Sequence, residues 1–205
     1  MIKKHIILIG ILTSIILLVI ASLNYPGGTP QNSLAVGYSF TENYISNLLS
    51  MKALNGADNT ARPWAMAGVF VSSLTFGLFF VSFSKRITAK SIANVIKYLG
   101  IVLTLLALFV VVPSFHDIVV TISSVLTLIV FFYLTVLALK SKLLIFKILS
   151  ISFLAICYFA CFMYFTRSYL AYMPIVQKIV HICQIVWILS LQYFTSKKDF
   201  DFIKA

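Results

Sequence analysis

The chain has 205 residues, of which 61% are hydrophobic and 10% charged, with a formal net charge of +11. Soluble domains carry about 45–50% apolar and about 25% charged residues, so a soluble fold of this size is excluded and lipid must solvate most side chains. The basic excess does not point to a nucleic-acid partner, because Lys and Arg sit in short connections between apolar runs rather than along one soluble face.

A hydrocarbon core about 30 Å thick is crossed by about 20 apolar residues in a helix. Six runs meet that length: Ile6–Leu23, Trp64–Ser84, Val95–Val112, Ile118–Leu139, Leu143–Phe165 and Pro174–Thr195. None contains Asp, Glu or Arg. Period-two alternation is absent, which argues against a membrane barrel. The expected fold is all-α: residues 1–205 form one polytopic bundle with six transmembrane helices.

The first span follows Lys3 and Lys4 and is longer than a secretory-signal core. Ala21-Ser22-Leu23 is also a poor cleavage site, so the helix is expected to be retained. Gly10 and Ser14 form a small-xxx-small pair suited to helix packing.

The connection 24–63 is forty residues long and opens with the turn composition Tyr25-Pro26-Gly27-Gly28. Further on, Phe40, Tyr44, Ile45, Leu48 and Leu49 share one helical face. Glu42, Asn43, Ser46, Asn47 and Ser50 share the other. With Ser39-x-x-Glu42 as a capping box, the pattern predicts a short amphipathic helix over Phe40–Met51, at the membrane interface or folded over the bundle. Glu42 is as much a helix cap as a candidate catalytic carboxylate. Arg62 closes the loop just before Trp64.

Pro113-Ser114-Phe115-His116-Asp117 sets His116 and Asp117 at the top of the fourth span. Ser114-x-x-Asp117 is another capping pattern, which accounts for Asp117 better than for His116. Ser123, Ser124 and Thr127 follow at i+7, i+8 and i+11 as a hydroxyl stripe; such groups also serve packing. Cys157 and Cys161 share a face of the fifth span with no charge nearby to stabilise a thiolate, and read as packing residues. With Cys183 they form no disulfide framework. Arg167 lies among Tyr164, Tyr169 and Tyr172, an interfacial belt composition in which Arg is also suited to phosphate.

On the sixth span Gln177, His181 and Gln184 lie on one face. His181 falls about 10 Å below Pro174 at 1.5 Å per residue, a depth at which polar groups face the interior or a water-filled cavity. His116 and His181 converge if spans four and six are neighbours. Together with Asp117 or Glu42 they are candidate catalytic residues and ligands for Zn²⁺, against the alternative of hydrogen-bonded structural histidines. Arg62, Ser123, Thr127, Arg167, Gln177 and Gln184 are candidate ligand-binding residues. His5, beside Lys3 and Lys4, reads as interfacial.

Lys3, Lys4, Lys85, Arg86, Lys90, Lys97, Lys140, Lys142, Lys147, Lys197, Lys198 and Lys204 fall on one side of the membrane. Lys52, Arg62, Arg167 and Lys178 fall on the other. The positive-inside rule places both termini in the cytoplasm and the 24–63 loop outside, with the cell membrane as the expected location. Lys178, a few residues inside the sixth span, is expected to snorkel outward. No phosphate-cradling glycine loop, dinucleotide fingerprint, nucleophile elbow or internal duplication is found.

Six spans, Tyr25-Pro26-Gly27-Gly28 after the first, Asn43-Tyr44-Ile45-Ser46-Asn47-Leu48 in the outer loop and Pro113…His116 opening the fourth span resemble the domain-of-unknown-function family 998. The likeness covers most of the chain and implies a six-helix bundle with the His116 region near its outer polar end. It implies no activity. That family commonly has an acidic residue and a glycine where Asn47 and Leu49 stand here. A more distant analogy is to alkaline ceramidase-like membrane hydrolases, whose full set of histidines this sequence lacks, so no catalytic role is carried over.

The residues leave three readings open. One is a non-enzymatic membrane protein whose outward-facing polar cavity binds membrane lipid or a segment of another membrane protein. The second is a metal-dependent hydrolase of a lipid-like substrate, and the third is a small transporter.

Overall fold

The computed structural model describes residues 2–200, so Lys204, counted with the basic tail, lies outside the described residues. Six long helices dominate: α1 (Ile2–Leu23), α2 (Arg62–Ser84), α3 (Lys90–Phe109), α4 (His116–Lys140), α5 (Leu144–Thr166) and α6 (Met173–Phe194). All six are long and apolar enough to cross a membrane, and among the described residues no strand forms. In lipid every backbone polar group must be satisfied internally, and an unbroken helix does this within one segment. Prolines fall where they interrupt nothing: Pro63 and Pro174 occupy the first turns of α2 and α6.

Each helix packs chiefly on its neighbours in sequence, while α6 meets α1 and α2 more lightly. The small residues expected on α1 do bring it against α2. Ser14 Oγ donates to the Gly68 carbonyl at 2.9 Å, and a β-carbon at Gly10 would collide with Thr75. At Gly100 one would strike Phe80, which holds α3 close to α2. Large apolar side chains face outward, among them Ile9, Ile16 and Val19 of α1 and Ile148, Phe159 and Phe162 of α5. That surface suits lipid and not water.

One end of the bundle carries the loop between α1 and α2, and the other carries the start of α1 and the end of α6. At the terminal end Arg86 reaches the C-terminus of α6. Its guanidinium donates to the carbonyls of Leu191 (2.9 Å), Gln192 (3.3 Å) and Thr195 (2.9 Å), satisfying acceptors that a helix end leaves open. His5 bonds the Tyr193 hydroxyl at 2.8 Å and stacks on its ring, which ties α1 to α6.

The loop is ordered by its polar side chains. Asn43 is fully buried. Its amide donates to the Gly28 carbonyl at 2.8 Å and its side-chain oxygen accepts from the Ser39 N–H at 2.8 Å. The Asn59 amide donates to the carbonyls of Asn47, Leu48 and Ser50. Of the stretch expected to be an amphipathic helix, Ile45–Leu49 is helical, and as a 3-10 turn; Ser39 Oγ accepts from the Glu42 N–H at 3.3 Å. The second capping pattern does not form. α4 begins at His116 without a side-chain cap, and Asp117 approaches His116 instead.

Candidate functional site

Inside the loop end the helices enclose a cavity of about 650 Å³, within the usual range for a small-molecule site of about 300–1,000 Å³. All six helices border it. Along α4 it runs from His116 to Phe131, about 22 Å at 1.5 Å per residue.

Its roof is the loop. Tyr44, Ile45, Ser46 and Leu49 line it from above, and α6 holds them in place. The Gln177 side-chain oxygen accepts from the Ile45 N–H at 2.9 Å. The Lys178 ammonium is buried, donates to the carbonyls of Asn43 (2.5 Å) and Pro174 (3.0 Å), and lies near the faces of Tyr38 and Phe40. Lys178 thus reaches towards the loop end, as snorkelling requires, but ends in a backbone carbonyl.

The inner limit is aromatic. Phe131, which lines the cavity, packs edge-on against Phe153 at 4.7 Å and Trp187 at 5.2 Å between centroids. The indole N–H of Trp187 donates to Ser150 Oγ at 2.9 Å, which fixes the ring. α4 and α6 meet here; nearer the loop end the cavity lies between them.

Seven residues singled out from the sequence border this one space: His116, Ser123 and Thr127 of α4, Arg167 after α5, and Gln177, His181 and Gln184 of α6. Ser123 Oγ is buried with no hydrogen-bond partner among the described residues. His181 likewise has none and packs its ring near Phe76, 6.2 Å between centroids. Ser124, one position round the helix, bonds instead to the Val120 carbonyl of its own helix at 2.7 Å.

Arg167 has a left-handed backbone (φ 58°) and stands over the Tyr164 ring at 5.3 Å. It makes no hydrogen bond or ion pair among the described residues. Arg167 and Leu170 are also the exposed members of the cavity wall, so the entrance lies at the turn between α5 and α6. Burial raises the Tyr44 phenol above its ordinary value, and the nearby Arg167 charge partly offsets this.

Three candidates lie elsewhere. Arg62 opens α2 and donates through Nε to the Leu49 carbonyl at 3.1 Å, supporting the loop. Glu42 sits in the loop and does not border the cavity. Asp117, with its side chain 93% exposed, pairs with His116 Nδ1 at 3.1 Å and does not border the cavity either. Among the described residues no group of three or more His, Cys, Asp or Glu side chains could hold a metal ion. The two histidines therefore do not fit a zinc site with three protein ligands.

Sequence reasoning allowed the segment to fold over the bundle but did not count Tyr44, Ile45, Ser46 and Leu49 among the site residues, and it missed the Asn43–Lys178 link that secures them. A lysine inside a span with no carboxylate in reach was the available signal. No family model, no curated protein and no solved structure matches the chain.

Proposed function

We propose that this is a multi-pass protein of the cell membrane, with both termini in the cytoplasm, that binds a lipid-like amphiphile in a cavity opening at the outer face. The observation that carries the reading is Ser123. Its hydroxyl is buried and, among the described residues, unpartnered on the wall of a cavity that also collects His181, Gln177, Gln184 and Thr127. An unsatisfied buried hydroxyl costs about 1–3 kcal/mol, and a ligand hydrogen bond recovers it. The remaining wall is largely apolar, as a lipid-like occupant requires.

Hydrolysis is less well supported, because among the described residues the two histidines have no third ligand and Asp117 lies off the cavity. A transport pathway would have to pass the Phe131–Phe153–Trp187 cluster. Membership of the domain-of-unknown-function family 998 is proposed on the six spans and the residues quoted above, Tyr25–Gly28, Asn43–Leu48 and Pro113…His116, of which Tyr44, Ile45, Ser46 and His116 line the cavity.

Filling the cavity tests the reading. Purified protein in lipid nanodiscs is expected to bind a fluorescent single-chain amphiphile saturably, and Ser123→Phe or Thr127→Phe to abolish it while the melting temperature holds. Undiminished binding in both folded variants would sink the proposal.

A further inference from the structure

The shape and charge of the cavity narrow the occupant further, granted the proposal that it binds an amphiphile at all. A volume of about 650 Å³ drawn out over about 22 Å of α4 is a long space rather than a round one. That shape suits one extended hydrocarbon chain.

Charge is equally lopsided. The wall includes Arg167 and no Asp, Glu or Lys, so the one permanent charge among the lining side chains is positive and stands at the entrance. Its guanidinium has a ring face beneath it and no carboxylate partner among the described residues. Five donors in a planar fork are therefore available to an anionic oxygen group.

Polar groups recur lower down. Ser123 lies seven residues below His116 and His181 eight below Met173, so both stand about 10–12 Å inside at 1.5 Å per residue. Neither has a hydrogen-bond partner among the described residues. A plain hydrocarbon chain would leave them so, whereas a hydroxyl or ester group beneath the headgroup would meet them.

We infer that the cavity takes a single-chain amphiphile with an anionic headgroup at Arg167 and a hydroxyl or ester group at the level of Ser123 and His181. A lysophosphatidate has this pattern, and a fatty acid has only its charged end.

Nanodisc-embedded full-length protein would be titrated with 1-oleoyl-lysophosphatidate, 1-oleoyl-lysophosphatidylcholine and oleate. The lysophosphatidate is expected to bind about tenfold tighter than the phosphatidylcholine analogue, and Arg167→Gln to erase that difference. Ser123→Ala should weaken lysophosphatidate and leave oleate unchanged. Melting temperatures confirm that each variant is folded. Equal affinities insensitive to Arg167→Gln, but lost in Ser123→Phe or Thr127→Phe, would overturn the headgroup inference and leave the cavity reading standing. Oleate matching lysophosphatidate would overturn the second polar contact and retain the anionic head. Binding of all three unaffected by either cavity-filling variant would end both readings.

Discussion

Lys178 sets an ammonium group inside an apolar helix, where a charge without partners would cost several kcal/mol. It tolerates the position because Nζ meets the Asn43 and Pro174 carbonyls and two aromatic faces. The Asn43 carbonyl keeps a weaker donor in the Tyr38 hydroxyl at 3.2 Å. Lys178→Met should therefore loosen the roof without unfolding the bundle, at a cost of about 1–3 kcal/mol. Limited proteolysis between Tyr25 and Arg62 checks this, and an unchanged cleavage rate would show that the link contributes little. Asn43 was legible only as a polar residue on the outer face of a presumed helix. Its full burial depends on Gly28 and Lys178, which lie 15 and 135 residues away in the chain.

The same contrast appears in whole elements. The long helices could be read directly, since an apolar run of that length in lipid has one way to satisfy its backbone. The segment 40–51 had a helical pattern yet forms a shorter 3-10 turn over Ile45–Leu49. Asn47 accepts from the Tyr44 N–H at 2.7 Å, so a side chain claims a donor that a longer helix would have given to the Phe40 carbonyl, while Asn43 ties down the Ser39 N–H just before it. The loop also buries the Tyr25 phenol and half-buries those of Tyr38 and Tyr44. Burial raises Tyr25, with the Leu54 N–H partly offsetting it; burial and then the Tyr25 charge raise Tyr38; burial raises Tyr44 against the pull of Arg167. Raised values favour the neutral phenol in the folded loop. Their contribution is thus complete below the unfolded value of about 10 and is lost as pH rises through the raised values. Tyrosinate absorbance should lag the free-phenol curve, and the loop should become protease-sensitive only in that alkaline range. Sensitivity developing near neutral pH would contradict this account.

For the whole molecule, orientation rests on where Lys and Arg fall, and Ser33 offers a direct check. It is exposed on the loop, far in sequence from the buried Cys157. Ser33→Cys should react with a membrane-impermeant maleimide on intact cells; reaction only after permeabilisation would reverse the topology. Arg86 shows that such counting does not exhaust a residue's role, since this cation, counted for the proposed orientation, also closes the end of α6. By itself the sequence determined six spans, their all-helical character and the residues of one polar set. Hydrophobic length and helical period are local properties, and lipid leaves the backbone little choice. Only the tertiary structure decided that His116, Ser123, Arg167, Gln177 and His181 border one cavity while Glu42, Arg62 and Asp117 do not. Packing between helices, and the docking of the loop on α6, depend on contacts between residues far apart in the chain, and no local pattern encodes them.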